Sequence, residues 1–175
     1  MNWILFLSLI GYCLCKEYKA VDKLDLNEYT GKWLQVYGNS FDKVFQGDGT
    51  CVTAYYSLQD DGKVKVYNEQ IDSNGERDGI EGYADYNDGD CCGYLTVHLD
   101  DLKPAPYWVL QLGPVENNQY QYAIVSDDKA ISLFVLARNV DNFQKKYEEQ
   151  VLVSIKEFGF TKPWNKPLPT NQTDC

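Results

Sequence analysis

Methionine occurs once in these 175 residues, at the start, and histidine occurs only as His98. With a single imidazole, any Ser-His-Asp or Cys-His arrangement would have to be built on that one position. The chain contains no Gly-x-Gly-x-x-Gly, no phosphate-cradling glycine loop and no Cys-x-x-Cys pair. Dinucleotide, nucleotide and zinc-finger chemistry therefore lack their usual scaffolds. Cationic side chains are in deficit: 16 Lys+Arg stand against 26 Asp+Glu, a formal net charge of −10, with a pI near 4.5. Binding to a phosphate backbone or an anionic lipid surface needs clustered Lys and Arg, so no nucleic-acid partner is expected. Apolar runs are also short. The longest, Trp3 to Ile10, does not reach bilayer length, so no stable membrane insertion is expected.

The chain is rich in aromatic residues, with 14 Tyr, 7 Phe and 4 Trp. Tyrosine-rich, methionine-poor composition favours strands over helices, and the length suits one domain with a core of its own. Residues 1–15 read as a secretory leader preceding a single domain over 16–175. No charged side chain precedes Lys16, so only the free amine makes the leader's start positive. Cleavage after Cys15 would put Cys13 and Cys15 at the small-residue positions. A buried N-terminal strand is the alternative. A lipid-anchored cysteine is disfavoured by bulky Tyr12 and Leu14 just before the two cysteines.

Removing 1–15 leaves Cys51, Cys91, Cys92 and Cys175, an even set that suits an oxidising compartment. Cleavage after Cys13 would leave five. Zinc is disfavoured because the cysteines lack paired spacing and His98 has no partner histidine, so no metal is expected. The triplet Asn171-Gln172-Thr173 is a glycosylation sequon if the chain passes through a eukaryotic secretory pathway.

From Gly31 onward, short strands alternate with tight turns. Candidate strands run over 32–37, 51–58, 63–71, 79–86, 93–99, 107–112, 120–126 and 130–138, with Asp61-Gly62 and Asn74-Gly75 as hairpin turns. Eight such strands point to an all-β sandwich or up-and-down barrel. One segment breaks the rhythm. In Asp141–Phe158, Phe143, Tyr147, Val151 and Ile155 form a helical stripe that needs a sheet to cover it. Asp141 with Gln144 suggests a capping box, and Gly159 a stop. The proline-containing tail from Lys162 is expected to be extended.

Gly31-Lys32-Trp33 before the first strand, and Leu136-Ala137-Arg138-Asn139 between the last strand and the helix, resemble the lipocalin family. The likeness is greatest to its apolipoprotein D and bacterial outer-membrane branch. It is carried by 51–58 (CVTAYYSL), 63–68 (KVKVYN), 80–84 (IEGYA) and 106–110 (PYWVL), and it runs from about Leu26 to Cys175. The resemblance implies an eight-stranded antiparallel β-barrel with the helix packed outside. It also implies a barrel floor made by Gly31, Trp33 and Arg138. A guanidinium on an indole face contributes about 0.5–2 kcal/mol. Within the branch, a cysteine at the position of Cys51 pairs with one near the C-terminus, here Cys175. That leaves Cys91 and Cys92 to each other, a strained pairing, to a partner chain, or to a retained Cys15. Two departures stand out. The family's Thr-Asp-Tyr motif is replaced by Asn118-Gln119-Tyr120, and residues 113–129 hold no cysteine for the family's second disulfide.

Eight-stranded barrels hold one small ligand, and strand alternation sorts side chains inward and outward. The inward candidates for ligand contact are Ala54, Tyr56, Val66, Asn68, Tyr107, Val109, Phe134 and Leu136. Of these, Tyr56, Asn68 and Phe134 match cavity positions by resemblance. Small Gly82 and Ala84 on the same face suggest space. The set is apolar with a few hydrogen-bonding groups, as small hydrophobic ligands require.

The expected function is a secreted carrier of a lipid, steroid, retinoid or tetrapyrrole, bound non-covalently, acting as a monomer or weak dimer without cofactor or catalysis. His98 alternates with inward Leu95, Val97 and Leu99 and so belongs outside the barrel. Two alternatives remain. One is an isomerase or de-epoxidase using Cys91-Cys92, although Asp88 and Asp90 beside a thiolate would oppose it. The other is an interaction protein in which Tyr55, Tyr67, Tyr83 and Trp108 form one exposed patch.

Overall fold

The computed structural model describes residues 17–41, 49–86, 92–173 and 175. The expected leader, Cys91 and the turn acids Asp88 and Asp90 lie outside them. Eight strands make the wall: β1 Gly31–Gly38, β2 Thr50–Leu58, β3 Val64–Ile71, β4 Arg77–Tyr86, β5 Tyr94–Leu99, β6 Ala105–Leu112, β9 Tyr122–Ser126 and β10 Leu133–Ala137. Each is antiparallel to its neighbour. The pairing of β10 back to β1 closes the sheet, leaving no free edge along the wall. A small hairpin, β7 Val115–Glu116 and β8 Gln119–Tyr120, interrupts the approach to β9. Its turn residues Asn117 and Asn118 are both left-handed, the geometry of a two-residue hairpin turn.

The alternation of side chains divides the apolar residues into two cores. Inside lie Trp33, Ala54, Tyr56, Val64, Val66, Ala84, Leu95, Val109, Ala123, Val125 and Leu136. Outside, Val36, Leu110, Tyr122, Ile124, Leu133, Val135 and Ala137 meet Phe143, Val151 and Ile155 of the helical segment. That segment is two helices, α2 Val140–Lys146 and α3 Glu148–Glu157, broken at Tyr147, where φ is −124°. Their cap is Asn139 rather than Asp141: the Asn139 side chain accepts the Asn142 N–H at 2.8 Å, and Asp141 sits in the first turn. Gly159 takes φ +93° just past α3, as a helix C-terminus favours.

A four-residue helix, α1 Leu26–Tyr29, precedes β1, capped by Asp25. Asp25 and Glu28 have capping-box spacing, a sign of this helix that is present in the sequence. At the other end of the chain, β11 Leu168–Pro169 does more than extend. β1 and β2 are laddered only from Gly31 to Leu34, and beyond that the tail fills the seam between them. Tyr37 and Gly38 pair with β11, Thr170 N–H donates to the Val36 carbonyl, and Cys51 N–H donates to the Asn171 carbonyl. The Gln172 amide donates to the carbonyls of Gln35 and Val52, one on each strand, at 2.9 and 2.7 Å. A disulfide between Cys51 and Cys175, with Cα atoms 5.5 Å apart, fastens the tail.

Candidate functional site

The floor is built around Trp33, which is fully buried. Its indole N–H donates to the Tyr29 carbonyl at 2.8 Å, and the Arg138 guanidinium lies 3.5 Å from its ring centre. Arg138 donates to five carbonyls, those of Glu28, Tyr29, Thr30, Lys32 and Tyr120, at 2.7–3.2 Å. It thereby satisfies the end of α1 and pins it across the barrel. Burial pulls its pKa down to about 10, still a cation at neutral pH. Gly31 takes φ +103°, and a Cβ there would press on Gln119 and Arg138, so glycine is needed both for the turn and for the arginine's approach.

Above the indole sits a cluster of phenols. Tyr29 packs on Trp33 and stacks on Tyr56, and Tyr107 meets Tyr56 edge-on, with ring centres 5.4–6.4 Å apart. Tyr107 OH shares hydrogen bonds with Tyr29 OH at 2.7 Å and with Tyr56 OH at 3.2 Å. Burial drives the pKa of Tyr56 up to about 12 and those of Tyr29 and Tyr107 well above the ordinary value, so all three stay protonated. Tyr29 is absent from the sequence-derived set. Its sign was the short capped helix that places it one turn before Trp33.

Each sequence-derived candidate falls on the inner face. Ala54 pairs with Asn68, Tyr56 with Val66, and Phe134 with Val125, while Val109 and Leu136 belong to the inner core. They divide by depth. Ala54, Tyr56, Val66, Val109 and Leu136 are buried, whereas Asn68, Tyr107 and Phe134 are only half-buried, as are Ile80, Val97 and Leu99 at the mouth-side end of the same faces. Gly82 does not serve to leave space. A Cβ there would stand 2.0 Å from the His98 carbonyl oxygen, so the close approach of β5 requires the glycine.

His98 points outward, stacked on Tyr83 at 4.5 Å with its Nε2 3.2 Å from Asp85 Oδ1. The outer tyrosines do not form one patch with Trp108. Tyr55 stacks on Tyr67, the Lys65–Glu81 ion pair stands between that couple and Tyr83, and Trp108 lies apart under Tyr18 and Tyr94. Cys92 is half-buried at the floor end of β5, opposite the mouth. Among the described residues no group of three or more His, Cys, Asp or Glu is placed to hold a metal ion. No helix among them is long and apolar enough to cross a membrane.

Residues 24–167, spanning β1 to the tail, match the family model described as a lipocalin-like domain. The chain belongs to the lipocalin family. Among curated lipocalins it is 31% identical to the outer membrane lipoprotein Blc of Vibrio cholerae over 160 residues, 90% of each chain. It is 36% identical to apolipoprotein D of Cavia porcellus over 99 residues, 55% of this chain and half the length of that protein. Insecticyanin of Manduca sexta superposes with a TM-score of 0.63 at 18% identity, covering 91% of this chain and 87% of that one, which speaks to fold alone. Lipocalins bind small hydrophobic ligands, and the barrel described above is the family's binding architecture.

Proposed function

We propose that this chain is an extracellular carrier. It holds a small hydrophobic molecule of lipid, steroid, retinoid or tetrapyrrole type non-covalently in the mouth half of the barrel, without turnover. The observation that carries this reading is the change in burial along the inner face. Around Trp33 the inward side chains Ala54, Tyr56, Val64, Val66, Ala84 and Leu95 are buried, whereas further towards the mouth Ile80, Val97, Leu99 and Phe134 present partly uncovered apolar surface inside the same wall. An apolar, partly uncovered concavity with few polar groups is what a small hydrophobic ligand fills. Phe134 and Asn68 are assigned to ligand contact. Tyr56 and Tyr107 form the bottom of the ligand space, and Trp33 and Arg138 support it without touching ligand.

The apolar run Trp3–Ile10, read from the sequence as part of a leader, and the Cys51–Cys175 disulfide support export. The only imidazole faces away from the cavity, and Cys92 lies at the opposite end from the mouth, which favours carriage over catalysis. The test is a titration of the purified protein with retinol, a sterol, a long-chain fatty acid and biliverdin, read by tryptophan quenching. Saturable binding of at least one of these at micromolar concentration is expected. Its absence up to millimolar concentration for all four overturns the proposal.

A further inference from the structure

We propose that the cavity selects a neutral ligand carrying a hydrogen-bond donor such as a hydroxyl, and discriminates against carboxylates; this rests on the carrier reading above. Below the rim pair Gln70 and Asp78, the inner positions of β3 to β6 and β10 supply Val66, Asn68, Ile80, Val97, Leu99 and Phe134, with Tyr107 beneath. None of these carries a formal charge. The half-buried cation at the floor, Arg138, is committed to five carbonyls and the indole face. A carboxylate drawn inside would therefore be buried without a counter-ion, and an unpaired buried charge is costly.

The polar groups that do face inward ask for a neutral partner. Asn68 Oδ1 is buried and accepts no hydrogen bond among the described residues. A buried acceptor left in that state carries its full desolvation cost, which a donor on the ligand recovers. A hydroxyl donates; a carboxylate at neutral pH only accepts. The phenols complete the demand. Among the described residues, Tyr29, Tyr56 and Tyr107 have three O–H hydrogens and share two hydrogen bonds between them, so one O–H is left for an acceptor, a role the oxygen of the same ligand hydroxyl can fill. Their raised pKa values keep all three hydrogens in place. Charge at the entrance points the same way. Among the described residues the mouth turns and their flanks carry Asp72, Glu76, Asp100, Asp101, Asp127 and Asp128 beside Arg77, Lys103 and Lys129, a net negative field that repels approaching anions.

Three retinoids that share one skeleton test this: retinol, its methyl ether, which keeps the oxygen but loses the donor, and retinoate. Binding is followed by retinoid and tryptophan fluorescence at neutral pH on the intact protein. Retinol is expected to bind about tenfold more tightly than either of the others, the size of one net hydrogen bond. In Asn68→Leu, with its fold checked by circular dichroism, the preference for alcohol over ether should shrink to about twofold or less. Retinoate binding as tightly as retinol to the wild-type protein overturns the inference, and that comparison needs no variant. Persistence of a tenfold alcohol preference in Asn68→Leu overturns the role of Asn68. Equal, saturable affinity for all three retinoids removes the selectivity and leaves the carrier reading standing. Saturable binding by none of the three, or of the wider panel, overturns the carrier reading and this inference with it.

Discussion

The two ends of the barrel share the same strands and the same alternation of side chains, yet they are finished differently. At the floor, α1, Trp33, Arg138 and three phenols interlock, with Trp33, Tyr29 and Tyr56 buried and their polar groups hydrogen-bonded. Towards the mouth the inward side chains become half-buried, and Asn68 keeps an unused acceptor. There the β1–β2 ladder gives way to a tail held by a disulfide. The comparison separates stability from recognition: disturbance at the floor should unfold the protein, and disturbance near the mouth should change binding with little effect on folding. The largest expected effect is that of Trp33→Ala. Removing a fully buried indole from the floor should cost about 3–5 kcal/mol, read as a lowered denaturant midpoint. A midpoint equal to wild type would break the comparison at its strongest point.

Arg138→Ala should follow, at about 2–4 kcal/mol, because it strips donors from carbonyls that close α1. Arg138→Lys should recover only part of this, since an ammonium lacks the planar fork that reaches several carbonyls and covers the indole. The tail comes next. Replacing Cys175 with Ser should cost about 2–4 kcal/mol by freeing a loop that spans most of the chain, visible in thermal melts run with and without reductant. Loss of the tail should also raise hydrogen exchange at Val36–Gly38 and Cys51, and leave Gly31–Leu34 protected.

Alkaline titration sharpens the account of the floor. The phenols of Tyr29, Tyr56 and Tyr107 ionise near pH 10 when unfolded and, for Tyr56, only near 12 when folded. A raised folded pKa contributes stability that is present below about pH 10 and is lost as pH climbs towards 12. Arg138, lowered to about 10 by burial, works in the opposite direction across that window, but one group opposes three. Unfolding followed by circular dichroism should therefore begin above about pH 10, together with late-ionising tyrosine absorbance. The smallest expected effect on stability belongs to Phe134→Ala. It is half-buried, so it should cost about 1 kcal/mol or less of folding stability while weakening ligand binding by about 1–2 kcal/mol.

Much of this was legible in the sequence because alternation is a strong code. The eight strands, the inward placement of Ala54, Asn68, Tyr107 and Phe134, and the outward turn of His98 all follow from period two and short turns. What the pattern does not carry is depth along the barrel. Tyr56 and Phe134 look equivalent in sequence, yet one is locked among phenols and the other half-open, because α1 closes only one end. Gly82 also misleads: a small residue suggests empty volume, and the actual reason is a neighbouring carbonyl 2.0 Å from where its Cβ would lie. The break at Tyr147 is invisible to helical periodicity, since the apolar stripe continues across it. The seam-filling role of Gln172 is equally hidden, because a side chain replacing a backbone ladder leaves no local signature.

The most direct test of the division between floor and mouth is a backbone amide chemical-shift map recorded while retinol is titrated in. The account predicts saturating shifts at Asn68, Ile80, Leu99 and Phe134, smaller ones at Tyr56 and Tyr107, and almost none at outward Tyr55, Tyr83 and His98. Shifts concentrated on those outer residues, with the inner face unmoved at saturation, would contradict it.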